Sequence, residues 1–177
     1  MKPSRTAAAH LLPGGALMSA VPSAGAVTPQ SGGDRGGWQP YRSSPFVAAA
    51  GTQCAFALKG DVVRDEERIR TLAVDAAGKP TEREVTGPLV FRFTNESSGA
   101  SVVRNLAGTA WLYYHTDGSQ TWVVVGHLGM GIKAGNPYQP PGHYVLTGRL
   151  ILDIHSNGVP QLVAHQGATE NLCDTLG

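Results

Sequence analysis

A chain of 177 residues with 14 basic and 13 acidic side chains is long enough for one domain of ordinary size and carries almost no net charge. That balance excludes the strongly basic surface that drives binding to nucleic acid or to anionic lipid. Gly (23) and Pro (12) make up about a fifth of the chain, against a typical ~12%, which suits a protein with many turns.

Residues 1–26 have the order of a secretory signal peptide. Lys2 and Arg5 supply a short positive start, an apolar stretch runs from Ala7 to Val21, and Ala24-Gly25-Ala26 is an A-x-A cleavage site. His10, Pro13, Gly14 and Gly15 interrupt the apolar part, and no Cys follows the small residues to take a lipid anchor. No later stretch approaches the ~18 apolar residues of a membrane span. The expectation is export, to the extracellular space or the cell envelope. Cys54 and Cys173 fit that address, because an oxidising compartment favours one disulfide and they lie near the two ends of the folded part. Neither belongs to a C-x-x-C, so thiol redox chemistry has no support.

Residues 27–45 read as a disordered Gly/Pro-rich linker, because they hold too little apolar surface to offset the entropy of ordering. Trp38 and Tyr41 are its exceptions, expected to be loosely packed or unstructured, with docking on the domain as the alternative. The folded part is then 46–177. Cys54, Phe56 and Leu58 share one face of a first strand, and Gly60-Asp61 marks a turn. The charged centre Arg64-Asp65-Glu66-Glu67-Arg68 suits either a helical turn or an exposed edge strand. A turn at 76–80 leads to a strand on which Glu82 and Glu84 point the same way, as a solvated pair. Leu89, Phe91 and Phe93 face the core, with Arg92 and Thr94 outward. Asn95 begins a formal glycosylation sequon in a turn, and Ser101 to Leu106 is another short strand.

Asp117-Gly118 between the runs from Trp111 and to Val125 is the strongest hairpin signal in the chain. With a two-residue loop, Tyr113 pairs with Trp122 and Trp111 with Val124. Alternation then collects Trp111, Tyr113, His115, Gln120, Trp122 and Val124 on one face and Leu112, Tyr114, Val123 and Val125 on the other. The aromatic face is a buried core, the wall of a ligand cavity, or an exposed patch for a protein or a sugar ring. A slip of one residue at the turn would exchange the faces. The proline-rich loop 129–142 is a second candidate contact region, and a candidate crossing between sheets. From Tyr144 to Ile154 the alternation is clean, with Tyr144, Leu146, Leu150, Leu152 and Ile154 inward. Asn157-Gly158 marks a second hairpin.

The expected fold is therefore all-β: a single antiparallel domain of about eight strands, an up-and-down β-barrel or a β-sandwich. His127, His143, His155 and His165 fall at or near strand ends, and Asp153 and His155 share a face, but no spacing specifies a third metal ligand. There is no G-x-S-x-G, no H-E-x-x-H and no phosphate-cradling Gly loop. The Ala-Gly-Ala leader, the Gly/Pro linker, the Leu89-to-Asn95 strand and the single Cys pair give a chain that resembles small secreted β-proteins of high-GC Gram-positive bacteria. That resemblance implies a secreted β domain and assigns no activity and no site residue. The functional expectation is a secreted, non-catalytic binding module for a small molecule, glycan or protein. Its site is Trp111, Tyr113, His115, Gln120 and Trp122, and no cofactor or metal is expected. A hydrolase or lyase using strand-end His and Asp residues, or a purely structural cell-envelope protein, are the alternatives.

Overall fold

Twelve strands and one short helix organise residues 37–177, which are those described by the computed structural model. In chain order they are β1 (Gln39–Pro40), β2 (Phe46–Ala48), β3 (Leu58–Asp65), β4 (Arg68–Val74), β5 (Pro80–Gly87), β6 (Leu89–Asn95) and β7 (Ser101–Asn105). They continue with β8 (Gly108–Tyr114), β9 (Gln120–Ile132), β10 (Gly142–Ile154), β11 (Pro160–Gln166), β12 (Thr169–Asn171) and α1 (Leu172–Leu176). The expected signal peptide and residues 27–36 of the expected linker lie outside the described residues.

Every strand pair is antiparallel. The larger sheet has the order β1-β4-β5-β8-β9-β10-β11, with β12 beside β10, and the smaller has the order β2-β3-β6-β7. The two sheets make a sandwich-like all-β fold and do not close into a barrel.

The chain reaches two sheets without a long crossing. β3 runs into β4, β5 into β6 and β7 into β8 through short corners at Glu66-Glu67, Pro88 and Leu106-Ala107, and each corner moves the chain from one sheet to the other. Backbone hydrogen bonds tie the corners together: Glu66 N–H donates to Pro88 O at 2.9 Å, Leu106 N–H to Leu89 O at 2.8 Å and His127 N–H to Ala107 O at 3.0 Å. β9 and β10 pass the same level unbroken, through glycine. By register Gly87 faces Gly108, Gly108 faces Gly126 and Gly126 faces Gly148. A Cβ at Gly126, where φ is 117°, would stand 2.7 Å from Gly108 Cα. At Gly148, where φ is 112°, it would run into the carbonyl oxygen of Gln166. Only glycine tolerates both that backbone conformation and that approach.

Two apolar clusters fill the interior. One joins Leu58, Leu89, Phe91, Phe93 and Leu106 to Val145 of β10 and to Leu172 and Leu176 of α1. The other is built from Val124, Met130, Ile132, Leu146, Leu150 and Leu152 of β9 and β10. Leu89, Phe91 and Phe93 are buried while Arg92 is exposed, as the period of a strand requires. The Cys54–Cys173 disulfide, with a Cα separation of 5.2 Å, fastens the segment before β3 to α1. Outside it, Arg104 of β7 holds Glu170 of β12 through two hydrogen bonds of 2.7 and 2.6 Å.

Several expectations change. Cys54 to Ala57 lie outside any strand, so the strand expected there begins only at Leu58, as β3, and Gly60-Asp61 continues it instead of turning. The charged 64–68 stretch is a corner between two strands, not a helical turn. The proline-rich connection is shorter than expected, spans 133–141 and joins neighbouring antiparallel strands, so it is not the crossing between sheets. Trp38 is docked: the Arg70 guanidinium carbon lies 4.7 Å from its ring centroid, and Gln39 and Pro40 pair with β4. Glu84 is not freely solvated, because Arg70 donates to it at 2.7 Å. Asn95 is buried at the end of β6, where its amide donates to Leu176 O and its Oδ1 accepts from Ser97 N–H and Ser98 N–H. The folded chain does not offer it as a glycan acceptor.

The bend and the turns separate in one experiment. Gly148→Ala is expected to cost about 3 kcal/mol or more in urea unfolding, since it adds a carbonyl clash to a left-handed backbone. Gly78→Ala, at φ 80° with open space around it, is expected to cost only about 1 kcal/mol. Replacing both cysteines by serine should cost about 3–5 kcal/mol, because the closed loop is long.

Candidate functional site

The hairpin of β8 and β9 decides where the aromatic residues go. His115 N–H donates to Ser119 O at 2.9 Å and Gly118 N–H to His115 O at 3.1 Å, so the loop has three residues, 116–118, with Gly118 at φ 85°. This is the turn followed by a left-handed glycine that makes a one-residue bulge. The same hydrogen bonds recur at Asp75/Lys79 with Gly78, and at His155/Val159 with Gly158. The extra loop residue moves the register by one: Trp111 pairs with Val123, Leu112 with Trp122, Tyr113 with Thr121 and Tyr114 with Gln120.

The expected five-residue surface is therefore divided. Trp111 and Tyr113 lie on the outer face of the larger sheet, in register with Glu84 and Glu82. Trp122 lies on the inner face beside Leu112, and its indole N–H donates to Gln120 at 2.9 Å. His115, at the exposed turn, contacts Thr121 Oγ1 at 3.0 Å, and Thr121 donates to Asp153 at 2.7 Å. On the outer face Tyr113, Val125 and Ile151 are exposed, but Trp122 takes no part there.

Trp122 instead walls a cavity of about 410 Å³ between the sheets. The larger sheet contributes Val85, Ala110, Leu112, Trp122 and Val124, and the smaller contributes Phe46, Leu89, Phe91 and Phe93. Tyr41, Arg42, Ser43 and Ser44, in the segment joining β1 to β2, line one end together with Glu67. Tyr41, Arg42 and Ser44 are exposed, so this end reaches solvent. The segment is pinned by side chains: Ser43 N–H donates to Asp65 at 2.7 Å and Ser43 Oγ to Glu67 at 2.9 Å. Burial pushes the Glu67 carboxyl up from its ordinary value, the Ser43 hydrogen bond opposes this, and the Asp65 charge adds to the rise.

One polar side chain is carried into the apolar wall. His143, only 5% exposed, stacks on Phe46 with ring centroids 5.3 Å apart and lies tilted against Phe93 at 4.9 Å. Its Nδ1 is 2.9 Å from Gln53 Oε1. An amide oxygen only accepts, so Nδ1 carries the proton and Nε2 keeps its lone pair. Burial pushes the pKa of this imidazole down to about 4. Glycine at 129 and 131 makes room on the facing strand: a Cβ at Gly129 would stand 3.0 Å from Leu106 and 3.6 Å from His143 Nε2.

The other histidine candidates do not assemble, and His127 lies in the middle of β9 and not at a strand end. His127 Nδ1 contacts Ala107 O, His155 Nε2 contacts Gln161, and His165 Nε2 contacts Thr147 O. Among the described residues, no group of three or more His, Cys, Asp or Glu side chains is placed to hold a metal ion. No family model matches the chain, and no curated protein or solved structure is significantly similar to it.

His143 links the site to pH. Its folded pKa of about 4 lies below the ordinary 6.5, so between these values the unfolded chain binds a proton that the folded one refuses. Stability is therefore complete above pH 6.5 and is lost as the pH falls toward 4. Between pH 7 and pH 5 this one group should remove about 2 kcal/mol of urea-unfolding free energy. His143→Phe should flatten the profile by that amount; an unchanged slope in the variant would contradict the assignment.

Proposed function

We propose that this is an exported, non-catalytic protein that holds one small, mostly apolar molecule in the cavity between its sheets. The observation that carries the reading is the wall itself: apolar and aromatic side chains from both sheets surround about 410 Å³, with one buried polar group and a polar end open to solvent. Ligand sites are commonly of this size and character. Export is supported by the signal-like leader, and it is compatible with the Cys54–Cys173 disulfide and with the lack, among the described residues, of a helix long and apolar enough to cross a membrane.

Binding is favoured over catalysis by the setting of His143. Its partner is the neutral amide of Gln53, where a general base is usually oriented by a carboxylate. With a pKa near 4 it is a weak proton acceptor at neutral pH. A patch on the outer face is less well supported, since the register removes Trp122 from Trp111 and Tyr113.

Titration with the uncharged fluorophore N-phenyl-1-naphthylamine tests the reading. Its emission should rise on binding and saturate at one site. Ala110→Phe, which puts a ring into the cavity, should weaken that binding at least tenfold, while Trp111→Ala on the outer face leaves it unchanged. Failure of the wild-type protein to enhance the dye, or equal binding by Ala110→Phe with its fold intact by circular dichroism, would refute a cavity site.

A further inference from the structure

We infer that the cavity selects an uncharged apolar molecule bearing a hydroxyl or similar hydrogen-bond donor, which it holds through the lone pair of His143 Nε2. This rests on the cavity being a binding site and names the chemistry of what enters it.

Three observations lead there. First, the ring is fixed. Nδ1 is engaged by Gln53 at 2.9 Å, and the faces are held by Phe46 and Phe93. A half-turn of the ring would keep the stacking but lose the Gln53 bond and put a carbon where Nε2 stands. Second, Nε2 makes no hydrogen bond to protein among the described residues, and although the residue is only 5% exposed this atom stays accessible to a molecule in the cavity. An apolar ligand that covered this acceptor without offering a donor would leave it unpaired, at a cost in free energy that a hydroxyl on the ligand avoids. Of the other polar groups on this wall, the Trp122 N–H donates to Gln120, Thr109 Oγ1 is shared with Thr86 at 2.8 Å, and His127, less buried than His143, has Nδ1 engaged by Ala107 O.

Third, the charges around the cavity disfavour an anion at the inner end. Arg42 is the lone cation of lysine or arginine type on the wall; it lies at the solvent end and is 3.7 Å from Asp65. Glu67 stands at the same end. His143 itself is neutral at pH 7, as its low pKa requires. A carboxylate reaching it would lose its hydration and meet a lone pair in place of a donor.

Three small probes of similar length separate these ideas: 1-octanol, its isomer heptyl methyl ether, and octanoate, each used at pH 7 to displace N-phenyl-1-naphthylamine. The alcohol and the ether have the same atoms, so burial of apolar surface treats them nearly alike. Octanol should bind about tenfold more tightly than the ether and more tightly than octanoate. The Nε2 nitrogen of His143 should shift in ¹⁵N spectra on adding octanol and not on adding the ether. In His143→Phe the advantage of octanol over the ether should fall to within about twofold. If the dye binds but the alcohol and the ether displace it equally, the cavity reading stands and recognition through His143 is overturned. Stronger displacement by octanoate also overturns it. If neither the dye nor any probe binds, the underlying binding reading fails with it.

Discussion

The close approach of backbones along one line of glycines is the constraint on which this fold depends. Gly87, Gly108, Gly126 and Gly148 face one another strand by strand, and a side chain at Gly126 or Gly148 would strike the neighbouring backbone. A sheet of long strands without such a line would twist smoothly. Here Gly126 and Gly148, at φ 117° and 112°, break the extended backbone of β9 and β10 at that line. β3, β6 and β7 leave at the corners and pair as the smaller sheet, whose phenylalanines meet Val145 and His143 of β10. The sandwich is thus made by bending strands rather than by a long crossing, and each corner needs only one or two residues.

The same bend explains why a polar ring is in the core. The far half of β10 has neighbours on both faces: Leu146 joins the cluster shared with β9, while His143 and Val145 turn toward the phenylalanines of the smaller sheet. A strand covered on both sides has no solvent-facing position for a histidine. Gln53 supplies one hydrogen bond, and the segment bearing it is held by the disulfide one residue later. Arg104 and Glu170 clamp the two layers outside the same region. The clamp, the disulfide and the buried imidazole therefore act on one seam, where the smaller sheet meets the second half of the long hairpin.

Much of this was legible in the residues, and the failures have identifiable physical causes. The all-β class, the alternation of Leu89, Phe91 and Phe93, and the pairing of Cys54 with Cys173 all follow from period and position. The aromatic face did not. Asp-Gly suits a two-residue loop, yet it equally suits a three-residue loop ending in a left-handed glycine, and Gly118 adopts the latter. One residue of register moved Trp122 from the face of Trp111 to the opposite one, because the side-chain period of a strand is two. The signal that would have helped is the recurrence of glycine at 78, 118 and 158, each three residues after the closing position of a turn. The cavity was harder still to see. Its wall combines Ala110 and Trp122 with Phe46 and His143, residues brought together only by the bend, and no local pattern along any one strand reports on a partner in another layer.

An apolar cavity of this volume also has an energetic consequence. Left unfilled, apolar walls of this kind forgo the packing contacts that a close-packed core would make. Collapse would remove that cost, but the walls resist it. Val85, Ala110 and Val124 sit on strands locked in register by their ladders, and Phe91 and Phe93 are held against one another at 5.8 Å. The exposed end at Tyr41, Arg42 and Ser44 relieves the void by admitting water. Water against aromatic walls is poorly hydrogen-bonded, because few polar groups of the wall are there to meet it. A molecule that displaced it would gain from the walls, and one bearing a donor would satisfy the imidazole in the same event, so occupancy would stabilise the fold.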